Sequence, residues 1–239
     1  MLTLDSIKDI KVYQNKDGYR FSVDALLLYS FVNLPRVKNI ADLGAGSGII
    51  GILLAKKYYS SEVVLIEMQH SLAGLAEKNV TLNSLSDRVK VITADVKMFK
   101  DKNSKIITPN SFDLVVSNPP FRRVKTGLLS IGDEKAIARH EIKLSLEDLA
   151  ESGSRLLKHH GRLCIIHLPE RLTDIIYAMR NNNLEPKRLR FIHSNISSEA
   201  KMVLIEVVKG GRHGLKTEKP LLIYNEDGSY TDEMRGIYE

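Results

Sequence analysis

The chain contains a single cysteine, Cys164, so no internal disulfide can form. It has no apolar run of the roughly 18 residues that a membrane span needs. Its first residues, Met1-Leu2-Thr3-Leu4-Asp5, show no basic segment leading into an apolar stretch. No secretory signal is therefore expected, and the expected location is cytoplasmic. Nowhere do His, Cys and carboxylates adopt a metal-ligand spacing, so no resident metal is expected. Repeats and low-complexity tracts are also missing.

What is present is an ordinary globular composition: 239 residues, 43% of them hydrophobic. That suits one large domain, or one domain with a small appendage. The net charge of +6 admits a polyanionic partner without requiring one.

From residue 39 onward, short Val/Ile/Leu runs alternate with helical patterns. Predicted strands are Ile40–Leu43, Val63–Ile66, Val89–Ile92, Phe112–Val116, Arg162–Ile166, Arg188–Ile192 and Lys201–Val208. Helices are expected from the glycine loop to about Tyr59, up to about Asn83, from Ser145 to Lys158 and from Glu170 to Asn181. Apolar strands separated by helices imply parallel strands covered on both faces, a doubly wound α/β sheet. Only about eight residues, from His193 to Ala200, separate the final two strands. That is too short for a helical crossover, so this pair should be antiparallel. Residues 1–38 read as a small N-terminal cap, with a hairpin turning at Asp17-Gly18 and a helix from about Asp24 to Val32. Residues 39–239 read as the main domain, with 210–220 as an exposed loop.

The first core strand runs into Asp42-Leu43-Gly44-Ala45-Gly46-Ser47-Gly48. Glycines at a strand–turn–helix junction allow close backbone approach to a ligand. Glu67 ends the next strand, about twenty residues on, where an acid can bind both ribose hydroxyls. Asp95 follows the third strand, where an acid can accept from an adenine amino group. The pattern is that of a nucleoside cofactor. Ile49 stands where a dinucleotide-binding loop has its third glycine.

The fourth strand ends in Ser117-Asn118-Pro119-Pro120-Phe121. Paired prolines cannot continue a strand. This corner would lie at the carboxyl edge of the sheet, where open α/β sheets bind ligands.

The layout, the loop from Asp42 to Gly48 and the Asn-Pro-Pro-Phe corner together resemble the class I, Rossmann-like S-adenosylmethionine-dependent methyltransferases. That class has a mostly parallel seven-stranded sheet with an antiparallel last strand. The resemblance implies S-adenosyl-L-methionine as cofactor and a planar amine as methyl acceptor. In such a site the Asn118 side-chain oxygen and the Pro119 carbonyl accept the two amine N–H groups. Pro120 supports the turn, and Phe121 stacks on a planar substrate. Adenine N6, guanine N2, cytosine N4 and a glutamine amide all fit the corner.

Further segments resemble bacterial adenine-N6 methyltransferases that act on valine tRNA: Phe21–Leu28, Ala138–Glu141, Leu168–Arg171, Pro220–Tyr224 and Gly228–Thr231. This resemblance covers nearly the whole chain. It implies a cofactor site formed by Phe21, Asp24, Asp42, Gly44, Gly46, Gly48, Glu67, Met68, Asp95, Val96 and Asn118, and an RNA partner, tRNA first. Rival readings are a guanine-N2 rRNA methyltransferase, a protein glutamine methyltransferase and a noncatalytic RNA-binding module. Arg122, Arg123 and Lys125 adjoin the corner and are the expected phosphate contacts. Other basic runs lie at Lys97–Lys105, Lys187–Arg190 and Lys209–Lys216. His159-His160 is expected at a helix end, His167 as structural and Cys164 as inert core. Replacing Arg122 and Arg123 with alanine should weaken RNA binding and make its salt dependence shallower, by about one in slope for each phosphate no longer neutralised. A filter-binding titration at several salt concentrations measures both.

Overall fold

A computed structural model describes residues 2–15, 23–101, 106–119 and 144–238. The strands forecast from residue 39 onward are all present. They are β3 Asn39–Leu43, β4 Glu62–Glu67, β5 Val89–Thr93, β6 Phe112–Ser117, β7 Leu157–His167, β8 Leu184–His193 and β9 Ala200–Lys209. Before them come β1 Leu2–Ile7, β2 Ile10–Asn15 and helix α1 Val23–Phe31. Helices α2 Ile49–Lys57, α3 His70–Leu82, α4 Leu146–Leu156 and α5 Leu172–Asn181 alternate with the strands. Two short strands, β10 Lys216–Thr217 and β11 Leu221–Leu222, precede the last helix, α6 Asp232–Tyr238.

The main sheet runs β10-β8-β9-β7-β6-β3-β4-β5, with β11 also on β8. β3, β4, β5, β6 and β7 pair in parallel. β9 is antiparallel to both β7 and β8, as the short connection requires. The seven-strand core is thus as expected, and the two tail strands bring the sheet to nine. Alternation along each strand feeds two cores. Leu114, Val116, Cys164 and Ile166 join the one beneath α1, α2 and α3. Val115, Leu163 and Ile165 join the one beneath α4 and α5. Both faces being apolar is why the strands read as unbroken hydrophobic runs. Among the described residues, no helix is long and apolar enough to cross a membrane.

Tyr13, Gln14 and Asn15 pair with Leu4, Thr3 and Leu2 in a hairpin that turns at Lys8-Asp9. The Asp17-Gly18 turn lies outside the described residues. Two expectations are corrected. Helix α4 stops at Leu156, and His159 and His160 belong to the start of β7, which bulges against β6 near Phe112. The expected loop 210–220 contributes β10, because β8 would otherwise leave its outer edge unpaired.

Two asparagines of α3 and its C-terminal end hold the hairpin. Asn83 accepts from Lys11 N at 3.0 Å and donates to Lys11 O at 2.7 Å. Asn79, fully buried, accepts from Tyr13 N at 2.7 Å and donates to Tyr13 O at 3.2 Å. Their amides substitute for a third strand along β2, satisfying backbone groups that burial would otherwise orphan.

On the sheet, Glu206 of β9 is buried between two arginines. It accepts from Arg188 Nη2 at 3.1 Å and pairs with Arg162. Arg188 also donates to the Phe31 carbonyl and lies 3.9 Å from the Phe31 ring centroid, tying α1 to the sheet. Cys164, fully buried beside Glu206, has its thiol pushed far up by burial and is inert core. Removing one member of a buried pair strands the others. Glu206→Ala should therefore cost about 3 kcal/mol of stability, read as a lowered midpoint in urea unfolding.

Candidate active site

Four neighbouring strands, β6, β3, β4 and β5, end on one edge of the sheet. Asp42 pairs with Val116 of β6 on one side and Leu65 of β4 on the other, and Glu67 pairs with Thr93. At about 4.8 Å per strand, these ends span about 14 Å. The glycine loop, Glu67, Asp95 and Asn118 emerge along that edge.

Gly44, Gly46 and Gly48 have φ of 73°, 57° and 86°, in the left-handed region. A Cβ built on Gly44 would meet nothing within 4 Å, so open space lies beside it. The backbone N–H groups of Gly44 and Ala45 donate to Ile66 O at 2.9 and 3.0 Å, fastening the loop to the end of β4. Gly46 N donates to Glu67 Oε2 at 2.9 Å, and Gln69 N donates to Glu67 Oε1 at 2.8 Å. Each oxygen of this buried carboxylate thus receives one donor and keeps a second acceptor site, enough for two ribose hydroxyls. Glu67 therefore also braces the loop, a role that sequence spacing did not reveal.

Asp42 is 1% exposed. Its Oδ2 accepts from Gly51 N at 3.0 Å, whereas Oδ1 has no hydrogen-bond partner among the described residues. Burial pushes its carboxyl up to about 7; the Gly51 N–H opposes this and the Glu67 charge adds to it. A buried acceptor without a donor is costly and calls for explanation. Beside the open space at Gly44, it suits a cationic donor such as a ligand ammonium. Gly51 was missed by sequence reasoning: a Cβ there would fall 2.1 Å from Leu65 Cδ2, so Leu65 packs into the space that a side chain at 51 would take and would have to move to admit one. This is the packing role of a dinucleotide loop's third glycine, displaced two residues beyond Ile49.

Asp95 caps a 3₁₀ turn, Val96–Lys100, by accepting from Lys97 N at 2.9 Å through Oδ1. That leaves acceptor capacity on the carboxylate for a ligand. Met68 is 40% exposed at the start of the loop after β4, whereas Val96 is buried. Asp24 is half-buried in the first turn of α1. Asn79 reaches this site too, donating to Ser47 O at 3.0 Å and so linking the loop to the hairpin.

Asn118 and Pro119 directly follow β6. The fully buried Ser117 hydroxyl donates to Leu43 O at 2.7 Å, tying the corner to the strand that carries the glycine loop. The Asn118 side chain makes no hydrogen bond among the described residues. Phe21, Pro120, Phe121, Arg122, Arg123 and Lys125 lie outside the described residues, as do Lys102 and Lys105.

Most of the other basic runs are occupied structurally. Lys100 pairs with Asp148 at 2.7 Å and Glu151 at 3.2 Å, and Lys97 lies 3.7 Å from Asp148. Arg188 is in the buried pair, and Arg190 meets Glu233 at 2.7 Å. Lys209 donates to Ser154 O and Leu157 O. His167 is buried, its Nδ1 accepting from Leu168 N at 2.8 Å, as expected of a structural histidine. Among the described residues, no group of His, Cys, Asp or Glu could hold a metal.

Residues 22–171 match the family model of the methyltransferase small domain, a span that contains the glycine loop, Glu67, Asp95 and Asn118. The chain belongs to the methyltransferase small-domain family. Among its relatives is a tRNA1(Val) (adenine(37)-N6)-methyltransferase of Porphyromonas gingivalis, 30% identical over 205 residues, 84% of this chain and 79% of that protein. A protein of the same name from Phocaeicola vulgatus is 28% identical over 200 residues, covering 84% and 81%. The crystal structure of a predicted O-methyltransferase, Atu636 from Agrobacterium tumefaciens, superposes with a TM-score of 0.71 at 27% identity, covering 90% of this chain and 95% of that one. The methyltransferase uses S-adenosyl-L-methionine, and the residues fit it: a loop with open space, a buried acid with one oxygen unpartnered among the described residues and a carboxylate with acceptor sites to spare.

Asp42 gives a pH-dependent stability. Its raised value favours the protonated native form, a contribution complete below about pH 4 and lost as pH rises through about 7. Asp42→Asn keeps an acceptor for Gly51 without the charge. It should raise the ligand-free melting temperature at pH 8 by a few degrees, at about 2–4 °C per kcal/mol. The gain should shrink toward pH 4, while cofactor affinity measured by calorimetry falls at least about tenfold.

Proposed function

We propose that this methyltransferase transfers a methyl group to the N6 amine of an adenine in tRNA, in the anticodon loop. The observation that carries this reading is the adjacency of Asn118 and the glycine loop on paired strands β6 and β3, in a chain whose relatives are named tRNA adenine-N6 methyltransferases. Those names support adenine over a guanine N2 or a glutamine amide. A noncatalytic RNA-binding role would leave the open loop and the unpartnered Asp42 oxygen without purpose. A tRNA substrate also supports action in the cytoplasm.

S-adenosyl-L-methionine, when bound, supplies an electrophilic methyl group on a sulfonium. Asp42 and the loop hold its methionyl end, Glu67 accepts from its ribose hydroxyls and Asp95 from its adenine amine. The β1–β2 hairpin serves as part of an N-terminal cap, since Asn79 couples it directly to the loop. On the acceptor side, the exocyclic amine lone pair is delocalised into the ring and is a weak nucleophile. The Asn118 oxygen and the Pro119 carbonyl accept its two N–H groups, which favours pyramidal nitrogen and directs the lone pair toward the methyl. Proline fixes its own φ and with it the carbonyl direction. With the cofactor bound, its methyl would pass to the nitrogen held by Asn118 and Pro119 as the S–C bond gives way, and the amine proton would be released to water. No strong base is needed, and alignment contributes most, on the order of 7–11 kcal/mol. An unpaired loop adenine is cheap to turn out into such a pocket. Phe121 is placed by the motif to stack on it, and Arg122, Arg123 and Lys125 to meet its phosphates.

Incubation with tritiated cofactor and separate pools of tRNA, rRNA and protein, followed by nucleoside analysis, should place the label in N6-methyladenosine of tRNA. Asn118→Ala should lower turnover by at least about 100-fold with cofactor affinity nearly unchanged. Near-normal turnover in that variant would overturn the amine clamp. Label in guanine or protein would overturn the substrate.

A further inference from the structure

The C-terminal tail is an addition to the carboxyl edge of the sheet. Leu221 and Leu222 pair with Ile192 and His193 at the end of β8, and Tyr224 N donates to Ser194 O at 2.8 Å. β8 is parallel to β7, so this is the edge from which Asn118 and the glycine loop emerge. Three strand spacings, β6 to β7 to β9 to β8, separate the tail from the corner laterally, about 14 Å.

There the chain displays three tyrosines. Tyr224 and Tyr230 form a bridge across a tight turn, and their rings stack at 5.2 Å with planes 13° apart. Tyr238 of α6 adds a third ring, 5.4 Å from Tyr230. Each remains more than a third exposed, at 39%, 38% and 37%. The scaffold beneath is rigid: Met234 and Ile237 are buried against α1, and Thr231 Oγ1 donates to Leu222 O at 2.7 Å while accepting from Met234 N. Exposed Lys216 and Lys219 lie farther back along the outer edge of β8, level with Arg188 and Arg190, and neither side chain has a partner among the described residues. Fixed, exposed aromatic faces are the surface on which proteins stack unpaired nucleotides. The arginines nearby are committed, Arg190 to Glu233 and Arg235 to Asp232.

We propose that Tyr224, Tyr230 and Tyr238 form a stacking platform for unpaired nucleobases of the RNA substrate, next to the nucleotide being methylated. The inference rests on the RNA reading above and adds to it a second contact, remote from the reacting amine.

The test is steady-state methylation of tRNA by Tyr224→Ala, Tyr224→Phe and Tyr224→Leu. Loss of a stack should raise KM for tRNA about five- to a hundredfold, with kcat and cofactor affinity unchanged. Phenylalanine should restore KM and leucine should not. The chain has no tryptophan, so its intrinsic fluorescence is dominated by tyrosine. RNA should quench that emission in the wild type and less in a Tyr224→Ala/Tyr230→Ala variant. An unchanged KM in Tyr224→Ala overturns the platform, as does equal rescue by leucine, which would mean packing only. Failure of the wild type to methylate any RNA would instead remove the RNA reading itself.

Discussion

The register of β3 against β6 sets Asp42 opposite Val116, and almost everything chemical depends on it. A shift of one residue would turn Asp42 to the other face of the sheet. It would also separate the Ser117 hydroxyl from Leu43 O, the bond that fastens the Asn118-Pro119 corner to the strand carrying the glycine loop. Adjacent parallel strands are the shortest rigid link between two loops that must present a methyl donor and an acceptor to one another. The apolar filling of both faces holds that register.

Two acids sit close together in low dielectric at the end of those strands. Glu67 is anchored by the N–H groups of Gly46 and Gln69, and Asp42 by that of Gly51. The loop is thus shaped by Glu67, the acid proposed to bind the cofactor. The unpartnered Asp42 oxygen destabilises the ligand-free state, and a cationic ligand would relieve that cost. An unsatisfied group of this kind at a binding site trades stability for affinity.

The peripheral elements then have physical reasons to exist. The hairpin is joined to α3 by amides that imitate a neighbouring strand, and Asn79 extends the join to the loop. The tail closes the outer edge of β8 and carries its aromatic stack to the carboxyl edge. Many cations that look like an RNA footprint in the sequence are ion-paired within the fold. The basic surface free to meet RNA is correspondingly smaller than the composition suggests.

The sequence by itself determined the order of elements along the chain, the doubly wound class and the antiparallel final pair. Each follows from a local rule: apolar runs, glycine and proline punctuation, and a connection too short for a crossover. It also marked Asp42, Glu67, Asp95 and Asn118, because motif residues stand at fixed offsets from strand ends. Only the tertiary structure decided what those residues do to one another. Gly51 against Leu65, Ser117 on Leu43, Asn79 on the loop and Arg188 on Glu206 join residues far apart in the chain. Three tyrosines spread over the tail became one surface through a turn and a helix. The β1–β2 hairpin went unseen for the same reason: its pairing and its hold on α3 through Asn79 and Asn83 join residues far apart in the chain. Local pattern decides which element forms; which faces meet depends on packing, and packing is a property of the whole fold.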